Sequence, residues 1–304
     1  MRIGARALLT LVPVAVLPLL GAGLLAFRVS RRALEERTRA AQVSTARFLA
    51  ERISSEVRAS LHAAGLAASA MDFAQLSGEE RLGALRLLFR QIEGACAVAL
   101  LSPEGAQLAE PVYLAARAQD PVLADRPVLD EADIEEFARS IPLRAAHQIG
   151  AAVGPAHASA RGDPRVAVAV RARGGSILAV EFNLSPLLPL VSESRLGPRA
   201  MTAVVDRSGR VVLASDEAPR AQLRSPLVEA ALAGNPGALA FAGPDGVERL
   251  GASAEVPDLG WVVAVDEPAD DALAEARLLA RRTLIAVAVA LVAGVALALG
   301  AGGA

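Results

Sequence analysis

The chain has 304 residues, 53% of them hydrophobic, with 31 basic and 33 acidic side chains and a formal net charge of −2. That balance excludes the basic footprint of a nucleic-acid-binding protein, and so much apolar content excludes a disordered chain. Every basic residue is arginine, and a lone cysteine, Cys96, excludes an internal disulfide.

Two uncharged apolar stretches, residues 7–27 and 283–304, bracket everything else. Each is about 20 residues long, enough at ~1.5 Å per residue to cross the ~30 Å hydrocarbon core of a bilayer, so both are predicted transmembrane helices. The first is longer than the h-region of a signal peptide, and no clear A-x-A site precedes a polar start, so it reads as an uncleaved anchor behind a short tail, 1–6. Pro13 and Pro18 are compatible with a spanning helix. Arg28, Arg31, Arg32, Arg37 and Arg39 follow the first span and Arg277, Arg281 and Arg282 precede the second, against Arg2 and Arg6 outside them. A literal positive-inside count therefore puts the middle in the cytoplasm, but long domains translocate largely regardless of charge.

After the first span, residues 29–70 carry a helical pattern with no proline and no glycine before Gly65. Leu49, Ile53, Val57 and Leu61 recur every fourth residue as one apolar stripe, and Arg31/Glu35, Arg32/Glu36, Arg47/Glu51 and Arg52/Glu56 are i, i+4 pairs on solvated faces. Such a helix reaches roughly 60 Å and forms a stalk. Ser77-Gly78-Glu79-Glu80 is a capping box that opens a second helix, buried through Leu82, Leu85, Leu88, Phe89 and Ile92 and ended by Gly94.

A weak internal repeat follows. The apolar run 97–101, the turn Ser102-Pro103-Glu104-Gly105 and the run 106–108 match 202–205, the turn Asp206-Arg207-Ser208-Gly209 and 210–213. Glycine supplies positive φ at each turn, so each half is predicted to open with a hairpin. Each half also closes with strands: 165–171 and 176–182 around Arg173-Gly174-Gly175 in the first, and 238–242, 247–256 and 261–266 in the second, with turns at Gly243-Pro244-Asp245-Gly246 and Pro257-Asp258-Leu259-Gly260. Helices are expected from Asp130, with Glu131 and Asp133 in the first turn, and from Ser225-Pro226 to Gly234. A last helix begins near Pro268, with Asp270 and Asp271 behind it, and runs through Arg281 into the second span.

On segments 202–216, 248–252 and 257–263, and less sharply on 166–170 and 176–184, the chain resembles the double Cache family, the extracytoplasmic sensor domains of bacterial chemoreceptors, sensor histidine kinases and diguanylate cyclases. The resemblance runs from span to span and rests on strands and turns, which identify a fold better than a ligand. It implies an α+β protein: a long N-terminal stalk helix carrying two PAS-like antiparallel-sheet modules, flanked by the two transmembrane helices. The expected divisions are stalk 28–44, membrane-distal module 45–191, membrane-proximal module 192–268 and juxtamembrane helix 269–282.

The resemblance further implies that a ligand is held by the distal module, between its sheet and the segment joining its second and third strands, about 111–150. That segment holds the single tyrosine, Tyr113, with Arg117, Arg139, Arg144 and His147. Tyr113, Arg117, Arg144 and His147 are the candidate ligand contacts, because a guanidinium offers a planar fork to a carboxylate. With 3% aromatic residues, the pattern that holds an α-amino group in amino-acid-binding relatives is not recognisable, so amino acids are not favoured over other small molecules.

Catalytic arrangements are not found. His62, His147 and His157 fall on different elements, with no H-E-x-x-H or G-x-S-x-G spacing. The acidic run Asp130, Glu131, Asp133, Glu135 and Glu136 reads as a solvated helix face, Cys96 as a buried small side chain and Trp261 as a core anchor. No enzyme activity, cofactor or metal is expected.

The sequence therefore predicts a two-pass sensor of the bacterial cytoplasmic membrane, its middle periplasmic and a homodimer. It senses a small molecule and passes a conformational change through the second span to a cytoplasmic effector or a separate membrane signalling protein. Its output domain is expected to lie outside the chain. The alternatives are an adaptor that binds an envelope protein without a small ligand, and a cytoplasmic-facing membrane scaffold.

Overall fold

In the computed structural model the described residues are 3–114, 127–159, 161–194, 196–197, 199–215 and 223–272, with scattered positions beyond, and the side chains of 3–27 are not among them. Helix α1 runs Ile3–Ala70 without a break. Its backbone includes the first expected span, whereas most of 283–304 lies outside the described residues. Among the described residues no helix is long and apolar enough to cross a membrane.

The first module, expected to be the membrane-distal one and called distal for that reason, follows α1. Helix α2 (Gly78–Gln91) starts where Ser77 and Glu80 close their reciprocal capping box. Strands β1 (Ala95–Leu101) and β2 (Val112–Tyr113), helices α3 (Glu131–Ser140) and α4 (Leu143–Ile149), and strands β3 (Ala151–Ala158), β4 (Pro164–Arg171) and β5 (Ile177–Asn183) complete it. The proximal module comprises α5 (Leu188–Glu193), β6 (Met201–Val205), β7 (Val211–Ala214), α6 (Pro226–Leu232), β8 (Ala238–Ala242), β9 (Glu248–Val256) and β10 (Trp261–Pro268), and α7 (Ala269–Ala272) leaves it.

Both sheets are five-stranded and antiparallel with one topology, β2-β1-β5-β4-β3 and β7-β6-β10-β9-β8. The internal repeat is real: Gly105 and Gly209 sit at the same turn, both at positive φ. The halves then diverge. β7 resumes directly after its turn, but residues 106–108 make only a bridge, Leu101 to Gln107, and the true second strand pairs Val112 and Tyr113 with Val98 and Ala97. The expected hairpin strand at 106–108 is thus corrected to Val112–Tyr113.

A single core runs under α1. Leu49, Ile53 and Val57 of the predicted stripe pack with Val98, Val168 and Val180 of the distal sheet and with Val204, Val263 and Val265 of the proximal one, while Leu61 is only partly buried. Burying a Leu, Ile or Val contributes about 1.5–3 kcal/mol, so the stripe ties both modules to one helix.

Candidate functional site

The distal sheet has two unlike faces. Toward α1 it presents Val98, Leu100, Val166, Val168, Leu178, Val180 and Phe182. On the other face the same strands present Ala97, Ala99, Ala167 and Ala179, met by Leu129 and Phe137 from the segment that covers them. The Val-Ala-Val-Ala-Val run of β4 builds this asymmetry directly, since successive side chains point to opposite faces. A floor of methyl groups lets the larger Leu129 and Phe137 pack directly on the sheet.

Beyond the alanines the floor becomes ionic. Glu181 of β5, Arg165 of β4, His157 of β3 and Asp133 of α3 are all buried. His157 Nε2 meets Glu181 Oε1 at 2.8 Å, and Arg165 NH1 lies 3.5 Å from both Glu181 Oε2 and Asp133 Oδ1. Arg165 Nε, also buried, has no hydrogen-bond partner among the described residues. A buried N–H without an acceptor costs about 1–3 kcal/mol, so this guanidinium is under-coordinated among the described residues.

The set depends on a bulge. Val153 pairs with Val168 and Ala156 with Val166, so Gly154 and Pro155 oppose one residue and the alternation reverses. His157 therefore lies opposite Arg165, on the alanine face, where strict alternation from Val153 would turn it toward α1. Only glycine fits: a Cβ at 154 would stand 2.2 Å from the Ser140 carbonyl.

Sequence reasoning missed Asp133, His157, Arg165 and Glu181. Charged residues inside otherwise apolar strands were the available signal for Arg165 and Glu181. Asp133 corrects the solvated-face expectation, because it turns in toward Arg165 while Glu131 and Glu135 stay exposed and Arg139 pairs with Glu135 and Glu136. It also closes the capping box of α3, its carboxylate accepting from Asp130 N while its own N–H donates to Asp130 Oδ1.

Of the predicted contacts, Tyr113 is half-buried on β2 and packs on the alanine cluster. Arg144 and His147 are exposed on α4, which docks through Leu143, Ala145 and Ala146; Arg117 lies outside the described residues. The structure does not bring Arg144 and His147 into the buried ionic set. Among the described residues no group of three or more His, Cys, Asp or Glu side chains is placed to hold a metal ion.

No family model matches the chain, and no curated protein matches it. Solved structures do. The extracellular domain of mmHK1S-Z2, assigned as a histidine kinase, superposes with a TM-score of 0.57 at 13% identity, covering 76% of this chain and 97% of that one. The sensory domain of the Campylobacter jejuni chemoreceptor Tlp3 gives 0.55 at 17% identity, covering 80% and 98%. The Tlp3 ligand-binding domain in complex with L-valine gives 0.54 at 18%, covering 79% and 96%. At such identities the likeness establishes the fold, which is the double Cache fold that the family resemblance implied.

Proposed function

We propose that the chain is a membrane-anchored extracytoplasmic sensor whose distal module binds a small molecule on the alanine face. The observation that carries this reading is the under-coordinated, buried Arg165 beside a floor of small side chains, under the same segment that family resemblance implicates. A guanidinium with an open donor suits a ligand carboxylate, and Tyr113 at the other side of the floor offers a hydroxyl. Arg117, Arg144 and His147 complete the proposed contacts, the last two at the exposed entrance. That Tlp3 domains are solved with L-valine and 4-methylisoleucine supports putting small amino acids in the first screen.

In this reading 7–27 and 283–304 span the cytoplasmic membrane, 28–44 is the stalk, 45–191 and 192–268 are the distal and proximal modules, and 269–282 carries the change toward the second span and a signalling effector. Val29, Phe48 and Leu66, exposed along α1, support a homodimer.

The test is a thermal-shift screen of the full chain in lipid nanodiscs against amino acids and organic acids. A specific ligand at a hundredfold excess over Kd stabilises by about 2.7 kcal/mol, which a mid-sized domain registers as several degrees. The expected hit is weakened by Tyr113→Ala and abolished by Arg165→Gln. A screen in which a well-folded sample responds to no compound but co-purifies with one envelope protein would replace this reading with the adaptor.

A further inference from the structure

A cavity of about 710 Å³ lies between the modules, lined in part by Gly154 and Pro155 of the β3 bulge and within the range of roughly 300–1,000 Å³ common for small-molecule sites. Three elements meet in it. Leu61 of α1, Ile149 from the end of α4 and Trp261 at the start of β10 supply apolar walls; Arg58, Arg207 and Arg210 supply charge. Ile149 is 76% exposed, the highest value of any large apolar side chain among the described residues. An isoleucine left bare at the mouth of a cavity marks a place where something apolar can be covered.

The charge is positioned and incompletely used. Arg58 is neutralised by Asp258, with Nε 3.0 Å from Oδ2. Arg207 is different: its Nε donates to the Leu259 carbonyl at 3.2 Å, and its guanidinium lies across Gly260, where a Cβ would come within 2.1 Å of Nε. Its remaining N–H groups have no acceptor among the described residues, and Arg210 has no ion-pair partner among them. Asp206 also lines the cavity, but its Oδ1 accepts from Ser208 N, Ser208 Oγ and Arg210 N within its own turn.

The facing turn, 257–260, is strained and clipped to α1. Asp258 has φ 66°, the one non-glycine residue at positive φ among the described residues. It is held by Arg58, and the adjacent Pro257 carbonyl accepts from Ser54 Oγ at 3.1 Å. Such outliers persist where surrounding contacts enforce them, often at ligand clamps.

We propose that this inter-module cavity is a second binding site, for a small organic anion with an apolar body, whose carboxylate is taken by Arg207 and Arg210 and whose ring or alkyl part lies against Leu61, Ile149 and Trp261. Because its walls come from α1 and from both modules, an occupant binds one arrangement of the modules better than another and so biases the signal independently of the distal floor. Trp261 is the single tryptophan of the chain, so its fluorescence reports occupancy.

The test titrates the full chain in nanodiscs with phenylacetate, hexanoate and cyclohexanecarboxylate, each against its carboxamide. Expected is a saturable change in tryptophan emission with at least one carboxylate, absent with the matching amide, and weakened about tenfold or more in Arg207→Gln and in Arg210→Gln, as loss of a hydrogen bond to a charged group requires. Arg210 is exposed, so Arg210→Gln keeps the wild-type melting temperature, whereas Arg207→Gln also loses the bond to the Leu259 carbonyl and is read against its own melting temperature. Tyr113→Phe leaves the response unchanged, which separates this site from the distal one. No saturable response to any of the three acids, an equal response to the amides, or indifference to both arginine variants overturns the proposal.

Discussion

Arg165 and Glu181 are the residues on which the distal floor turns. Four ionisable groups are buried there, and desolvating them is offset only while each keeps its partner. Glu181 faces both His157 and Arg165, so Glu181→Ala removes the carboxylate bonded to His157 and leaves the buried guanidinium with Asp133 alone, and is expected to cost about 3–5 kcal/mol of stability, read by denaturant unfolding. Arg165→Met is expected to cost less than that once paired with Glu181→Met, because the double change leaves no orphan charge between these two. A Glu181→Ala loss under about 1 kcal/mol would mean that water reaches the set and screens it. The charges were visible in the strands; their mutual contact was not, since it joins residues from 133 to 181 across four elements.

At the scale of elements, local signals were strongest where a few adjacent residues decide the outcome. The Ser77 and Ser225 caps, the turn glycines 105, 174, 209 and 246, and strands β8 and β9 follow chemistry contained within short windows. β3 was not foreseen, because Ala-Ala-Val-Gly-Pro-Ala-His-Ala has neither clean alternation nor β-branched content beyond Val153. Its bulge is decided by the close approach of the Ser140 carbonyl. Gly154→Ala therefore forces backbone apart and is expected to destabilise by about 1–3 kcal/mol, with His157 displaced from Glu181; unfolding and the His157 imidazole NMR signal check the two effects. Unchanged values in both would mean that β3 shifts freely past α3.

The whole molecule is a helix shared by two sheets, and its base is where the shared helix meets the exit. Gln42 of α1 donates to Glu267 Oε1 at 2.9 Å and to the Leu250 carbonyl at 3.2 Å, and Arg199 holds Asp271 of α7 through two hydrogen bonds of 2.8 and 2.6 Å. Arg249 bonds Asp266 beside them. Burial raises Asp266 above the ordinary 3.8 against the pull of Arg249, and raises Glu267 above the ordinary 4.5 against the Gln42 bond. Both carboxylates bind protons more tightly folded than unfolded, so their contribution is complete below those ordinary values and is lost as pH rises through the raised ones. Asp271 has the opposite sign: the Arg199 bonds lower it, and its contribution is lost as pH falls through the lowered value. Glu267→Gln keeps an acceptor for Gln42 and removes the buried charge. The variant is expected to melt above wild type at neutral pH, with the difference vanishing as pH falls through the raised Glu267 value. A constant difference across a calorimetric pH series would contradict the assignment.

By itself the sequence determined the α+β fold class of this protein: a helical stripe every fourth residue, caps, turn glycines and a twofold strand pattern, all set by interactions within about a dozen residues. The order of the sheets agreed because a repeated pattern folds twice by the same rules. Only the tertiary structure shows which residues meet. The reversal of alternation at Gly154, the inward turn of Asp133 and the meeting of Leu61, Ile149 and Trp261 at one cavity each depend on packing between segments tens to hundreds of residues apart, where burial and exclusion of water override what neighbouring residues prefer.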